Sequence, residues 1–164
     1  MSEIKHRLSF LALLFVLPLQ AGPAFSQQLT VQIWGGKATV LTRPEIEALP
    51  HVKVSINASG ATATFEGVAL QAVLEKAGVE FGASLKGKRL ASCLLVGAAD
   101  DYHVVIALPE LDPAFTDKQV VLAFLKDGKA LDEKEGPYRI VIPDEKRMAR
   151  WVRQVTTLKI MDVQ

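Results

Sequence analysis

The chain has 164 residues, enough for one domain with a sizeable core. Its 19 Lys and Arg against 18 Asp and Glu lack the basic excess of a nucleic-acid binder. A single cysteine, Cys93, excludes an internal disulfide, and three histidines are too few for an ordinary zinc site unless carboxylates fill in. HExxH, CxxC, GxSxG and P-loop patterns are absent.

The chain opens on Lys5-His6-Arg7, an apolar run from Leu8 to Leu19, and small residues in Ala24-Phe25-Ser26. This order predicts a secretory signal peptide over residues 1–26, cleaved before Gln27, too short for a stable membrane span. No twin arginine stands near the start and no cysteine follows the cleavage point, so general export to the periplasm or beyond is expected, without a lipid anchor. Loss of Lys5, Arg7 and Glu3 leaves the two charge signs equal, so any anion site must be local. The remainder, 27–164, reads as a single domain without repeat or linker, and with no transmembrane segment once the leader is gone.

Leu29 to Trp34 alternates apolar and polar residues, as a strand does, and Gly35-Gly36 turns it towards a second strand over Ala38 to Leu41. Thr42, Pro44 and Glu45 then start a short helix carrying Ile46 and Leu49, which Pro50 ends. Val52, Val54 and Ile56 predict a strand, and Ala61 to Phe65 another. Val68 to Ala77 reads as a helix stopped by Gly78. Leu90 to Val96 is nearly continuous apolar sequence, expected for a buried strand with Cys93 inside it. Tyr102 to Leu108 and Val120 to Leu125 follow as strands, the latter closed by the Asp127-Gly128 turn. Tyr138 to Ile142 and Thr156 to Ile160 complete the set. Between these two, Met148, Trp151, Val152 and Val155 fall at helical spacing behind a capping Asp144, so a helix is expected there, with Lys146, Arg147, Arg150 and Arg153 off its apolar stripe. The sum is an α+β domain: a mixed β-sheet core with three or four short helices.

Four blocks of this sequence, in order, resemble the sulfite-oxidase-like molybdopterin-binding domain family. They are Phe65-Glu66-Gly67-Val68-Ala69-Leu70 with Val73-Leu74 and Ala77-Gly78; Asp100-Asp101-Tyr102; Val121-Leu122-Ala123-Phe124 with Asp127-Gly128; and Gly136-Pro137-Tyr138-Arg139 to Pro143 with Arg150-Trp151-Val152. The resemblance implies the family's α+β fold and a pyranopterin whose dithiolene holds molybdenum. It further implies that Arg139 and Arg150 stand where the family holds the cofactor's phosphate and pterin, with Asp100 the nearest match to an acid that approaches the pterin. Arginine suits such a group because its planar fork donates two parallel hydrogen bonds.

The sequence departs from the family at two points. The family's molybdenum-ligating cysteine is missing: from Gln27 to Thr64 there is none, and the matching stretch offers only Ser55, Asn57 and Ser59. The family's histidine before the Gly-x-Pro-x-Arg turn is replaced by Lys134 and Glu135. A serine hydroxyl is a far poorer ligand than a thiolate for such a metal.

Each candidate also has a structural reading. Arg139 can pair with a carboxylate at its turn, and Arg150 can belong to a solvated face. With Lys146, Arg147 and Arg153 the two can instead form a local anion patch, for a lipid headgroup among others. Trp151 is expected in the core and His103 on an exposed strand, while His51 carries no assignment. Asp132 to Glu135, with Lys126 and Lys129, read as solvated hairpin charges. No catalytic residue and no metal ligand is assigned. The reading is therefore a non-catalytic module of molybdopterin-binding type that takes a small anionic ligand or a periplasmic protein partner. The alternative is a molybdopterin-dependent oxidoreductase or its cofactor subunit.

Overall fold

The structure, a computed structural model, describes residues 28–58, 61–143 and 145–162. The expected signal peptide, Ser59 and the expected helix cap Asp144 lie outside the described residues.

Among the described residues, ten strands form two sheets. The first takes β1 (Gln28–Gln32), β2 (Ala38–Thr42), β5 (Cys93–Ala98), β6 (His103–Ala107) and β10 (Val155–Met161) in the order β2-β1-β10-β5-β6. It is mixed: β1 runs parallel to β10 and the other pairs are antiparallel. The second is antiparallel, ordered β3 (His51–Ala58), β4 (Ala61–Ala69), β7 (Val121–Lys126), β8 (Lys129–Ala130), with β9 (Arg139–Val141) also on β7. Alternation explains the packing. Leu29, Val31, Leu94, Val96, Ile106, Leu158 and Ile160 of the first sheet enter one core with Val54, Phe65, Val68, Leu122, Phe124 and Ile140 of the second.

Two short helices are present among the described residues. In α1 (Arg43–Glu47) the Glu45 carboxylate accepts from the Thr42 N–H at 2.8 Å and its hydroxyl at 2.7 Å, as the sequence anticipates. The helix expected from Val68 starts later, as α2 (Leu70–Lys76), because Val68 and Ala69 pair with Leu122 and Val121 of β7. Gly78, at φ +98°, ends the turn beyond it in a conformation that favours glycine.

The helix expected behind Asp144 does not form. Only Met148–Arg150 makes a turn of 3₁₀ helix. The backbone here is claimed by tertiary pairing: the Ile140 N–H donates to the Val152 carbonyl at 2.8 Å, and the Val155 N–H to the Tyr138 carbonyl at 2.9 Å. Gln154, at φ +49°, would break a helix in any case. The apolar spacing is met differently. Trp151 and Val152 are buried from an irregular strap, Val155 from β10, and Met148 stays exposed.

The Leu90–Val96 run also differs from expectation. Gly87–Ala91 is a 3₁₀ turn with Leu90 exposed, and β5 buries one face only, through Leu94 and Val96. Cys93 lies on the other face and is half-buried, opposite Ala107 and Met161. A strand of an antiparallel pair needs only one apolar face, so a continuous apolar run does not prove two-sided burial.

Candidate functional site

The site is built where three of the quoted sequence blocks meet. Gly67 sits at a register shift between β4 and β7, so close to β7 that a Cβ there would lie 2.1 Å from the Leu122 carbonyl oxygen. That close approach seats Phe65 beneath two other side chains. Trp151 meets the Phe65 ring edge-on at 6.2 Å, and the Arg139 guanidinium lies 5.2 Å from the Phe65 ring centre and 5.6 Å from that of Trp151.

Arg139 is buried at 8% exposure. Its Nη1 donates to Glu135 Oε1 at 2.5 Å, and Lys126 approaches the same oxygen at 3.4 Å. Glu135 is thus an ion-pair partner at the site, not a solvated hairpin charge, because the turn into β9 folds it back onto Arg139. Two buried donors near this pair find no acceptor: Arg139 Nε and Trp151 Nε1. Most buried polar groups are bonded, so two orphans in contacting residues set this place apart.

Arg139 and Trp151 both line a cavity of about 370 Å³, which Asp100, Tyr102, Met148 and Arg153 also border. The Asp100 carboxylate accepts the Tyr102 N–H at 3.1 Å, and the Tyr102 hydroxyl donates to the Ala149 carbonyl at 2.8 Å, tying the β5–β6 turn to the strap. Asp101 takes the left-handed φ of +64°, so the chain turns and Asp100 alone of the acidic pair faces the cavity. On the other side of the Met148–Trp151 turn lies a second cavity of about 390 Å³, bordered by Ser55, Asn57, Glu145 and Lys146.

Arg150 is not brought to either cavity. Its Nε donates to Glu145 at 2.7 Å, and Nη1 and Nη2 reach Glu110 at 3.4 and 3.3 Å. Glu110 also accepts from Lys118 at 2.8 Å. Burial would raise the Glu110 carboxyl, but the hydrogen bonds from Lys118 and Arg150 outweigh it and hold it at about 2. The five basic residues expected as one patch are accordingly divided. Arg139 and Arg150 are neutralised, Arg153 borders the first cavity, Lys146 the second, and Arg147 is exposed.

Glu110 and Glu145 carry no assignment from the sequence because nothing local marks them. Two other residues fit their expectations: Trp151 is buried, and exposed His103 donates from Nδ1 to the Asp101 carbonyl at 2.6 Å.

The metal half of a molybdenum cofactor does not fit the residues present. At the stretch matching the family's cysteine, the Ser55 hydroxyl is bonded to that of Thr64 at 3.2 Å, and Asn57 Oδ1 accepts from Thr62 at 2.5 Å. Cys93 belongs to the other sheet and lines neither cavity. Among the described residues no three His, Cys, Asp or Glu gather as a metal site, and no helix is long and apolar enough to cross a membrane.

No curated protein matches this chain. Among solved structures, the sulfane dehydrogenase SoxCD from Paracoccus pantotrophus is similar at 21% identity with a TM-score of 0.64, over 83% of this chain. The chain spans only 38% of that protein's chain, and the likeness is one of fold. The blocks that converge on Arg139 fall within a longer match, from residue 41 to 164, to the oxidoreductase molybdopterin binding domain. The chain belongs to that family.

Proposed function

We propose that this protein is an exported, non-catalytic member of the molybdopterin-binding family, a module that takes a small ligand through an anionic group in the cavity beside Arg139. The leader over residues 1–26 directs it to the periplasm, and residues 27–164 form the binding domain. What carries the reading is the pair of buried, unbonded donors, Arg139 Nε and Trp151 Nε1, on two touching residues that both border one small cavity. A buried donor without an acceptor costs about 1–3 kcal/mol, which a bound oxyanion would return. Both residues border a cavity, so a small molecule suits them better than a protein partner. The missing thiolate speaks against redox turnover, since hydroxyl and amide groups already bonded to one another stand in its place.

The test is metal and pterin analysis of protein purified from a host that makes the cofactor, together with calorimetric titration of acetate and phosphate. Trace molybdenum, no pterin released on denaturation, and salt-sensitive anion binding weakened by Arg139→Lys are expected. That substitution keeps a charge for Glu135 but removes the Nε donor. Stoichiometric molybdenum would overturn the reading.

A further inference from the structure

We propose that the cavity between the Asp100 turn and the Met148–Arg153 strap recognises a small zwitterion, an amino acid or a compound with the same paired carboxylate and ammonium. This rests on the reading that the cavity binds a ligand through an anionic group, and adds the second charge and the size class.

Asp100 and Arg153 border the same cavity from two elements, the turn between β5 and β6 and the strap before β10. They form no ion pair with each other or with any other described residue. Asp100 uses one carboxylate oxygen, for the Tyr102 N–H, and its other oxygen has no bond among the described residues. Arg139 already has a counter-charge in Glu135 at 2.5 Å, the nearer of the two cations that share that carboxylate with Lys126. The cavity is therefore bordered by one cation and one anion, both exposed and both without a charged partner among the described residues.

A phosphate dianion would meet Arg153 but be repelled by Asp100 and remain half compensated, which is costly in a partly enclosed site. A lone carboxylate would leave Asp100 unanswered. A zwitterion answers both. Its carboxylate takes the Arg153 guanidinium, which borders the cavity together with Arg139 and Trp151. Its ammonium takes Asp100, with the Tyr102 ring two residues on, also at the cavity, offering an aromatic face. The bond from the Tyr102 hydroxyl to Ala149 joins the two elements and so fixes the separation of the charges. A volume of about 370 Å³ lies at the small end of ligand cavities, and exposed Met148 adds an apolar wall for a side chain.

The experiment is calorimetric titration of the purified protein with each of the common L-amino acids, with the deaminated carboxylate of every binder, and with inorganic phosphate. At least one amino acid should bind, and its deaminated analogue should bind about tenfold or more weakly, the worth of one charge-assisted hydrogen bond. Asp100→Asn, which keeps an acceptor for the Tyr102 N–H, should erase that difference. Arg153→Gln should weaken the amino acid by a similar factor. If carboxylates or phosphate bind as well as any amino acid, or Asp100→Asn leaves the preference intact, the zwitterion is overturned while the anion reading stands. If neither amino acids nor simple anions bind, both readings fall.

Discussion

Arg139 and Arg150 come from one stretch of sequence and carry the same charge, yet the fold treats them differently. Arg150 is about a third exposed and has carboxylates on two sides, Glu145 and Glu110. Arg139 is almost fully buried, has one carboxylate, and otherwise touches the rings of Phe65 and Trp151, leaving Nε unbonded. The first arginine of the pair is under-satisfied at a cavity wall, and the second is saturated away from it. An arginine becomes a candidate binder when the protein withholds partners from it. One supplied with two carboxylates is a tie, here fastening the strap to the 3₁₀ turn at Leu108–Leu111. The charge of a side chain says little until its counter-charges are counted.

The hardest way to break the Arg139 side is through its foundation. Gly67→Ala places a methyl against the Leu122 carbonyl and Ala123 Cα, at 2.1 and 2.6 Å, on backbone that cannot yield without separating β4 from β7. A loss of about 3 kcal/mol or more is expected, measured by urea unfolding, together with loss of anion binding. Glu135→Gln comes next. It leaves the Arg139 guanidinium buried without its counter-charge and should cost about 3 kcal/mol by the same measurement. The difference should sharpen at the other arginine. Glu110→Gln removes a carboxylate that is a third exposed, and Glu145 still holds Arg150, so about 1 kcal/mol or less is expected.

Glu110 also sets a pH signature. Its carboxyl is depressed from 4.5 to about 2 in the folded protein, so its contribution is full above 4.5 and disappears as pH falls from there towards 2. Wild type should lose stability across that acid window more steeply than Glu110→Gln. Equal slopes would mean that Lys118 and Arg150 do not hold this carboxylate in solution.

The strands that build the site were legible in the sequence, because alternation and turn residues are local signals. The short capped helix at Thr42 was legible for the same reason. The strap from Met148 to Gln154 was not. Its apolar spacing is helical, but its backbone is paired with Tyr138 and Ile140, a contact no local pattern encodes. Arg139 was legible through its turn and its family position, and Asp100 by resemblance. Their cavity was not, since it needs Tyr102 to meet Ala149 across 47 residues. The fate of Arg150 was equally hidden: Glu110 arrives from 40 residues away. His51 shows the same limit on the surface, because its partner Glu66 stands 15 residues on.

His51 is exposed where Arg139 is buried, and it tests how far the contrast extends. Both its ring nitrogens face acceptors, Nδ1 the Glu66 carboxylate at 3.0 Å and Nε2 the Glu47 carbonyl at 2.9 Å. Only the imidazolium can donate from both. The hydrogen bond to Glu66, then that to Glu47, raises the His51 pKa above 6.5 against a smaller opposing effect of burial. A raised histidine stabilises fully below 6.5 and loses that contribution as pH rises through its folded value. His51→Gln should therefore lower the melting temperature slightly near pH 6 and not at about pH 9. The effect should be the smallest of the set, because water competes for every partner of an exposed pair. A melting-temperature loss for His51→Gln that is as large in the alkaline range as in the acid one would show that packing against Phe124, which the ring meets edge-on at 5.4 Å, matters more than its charge.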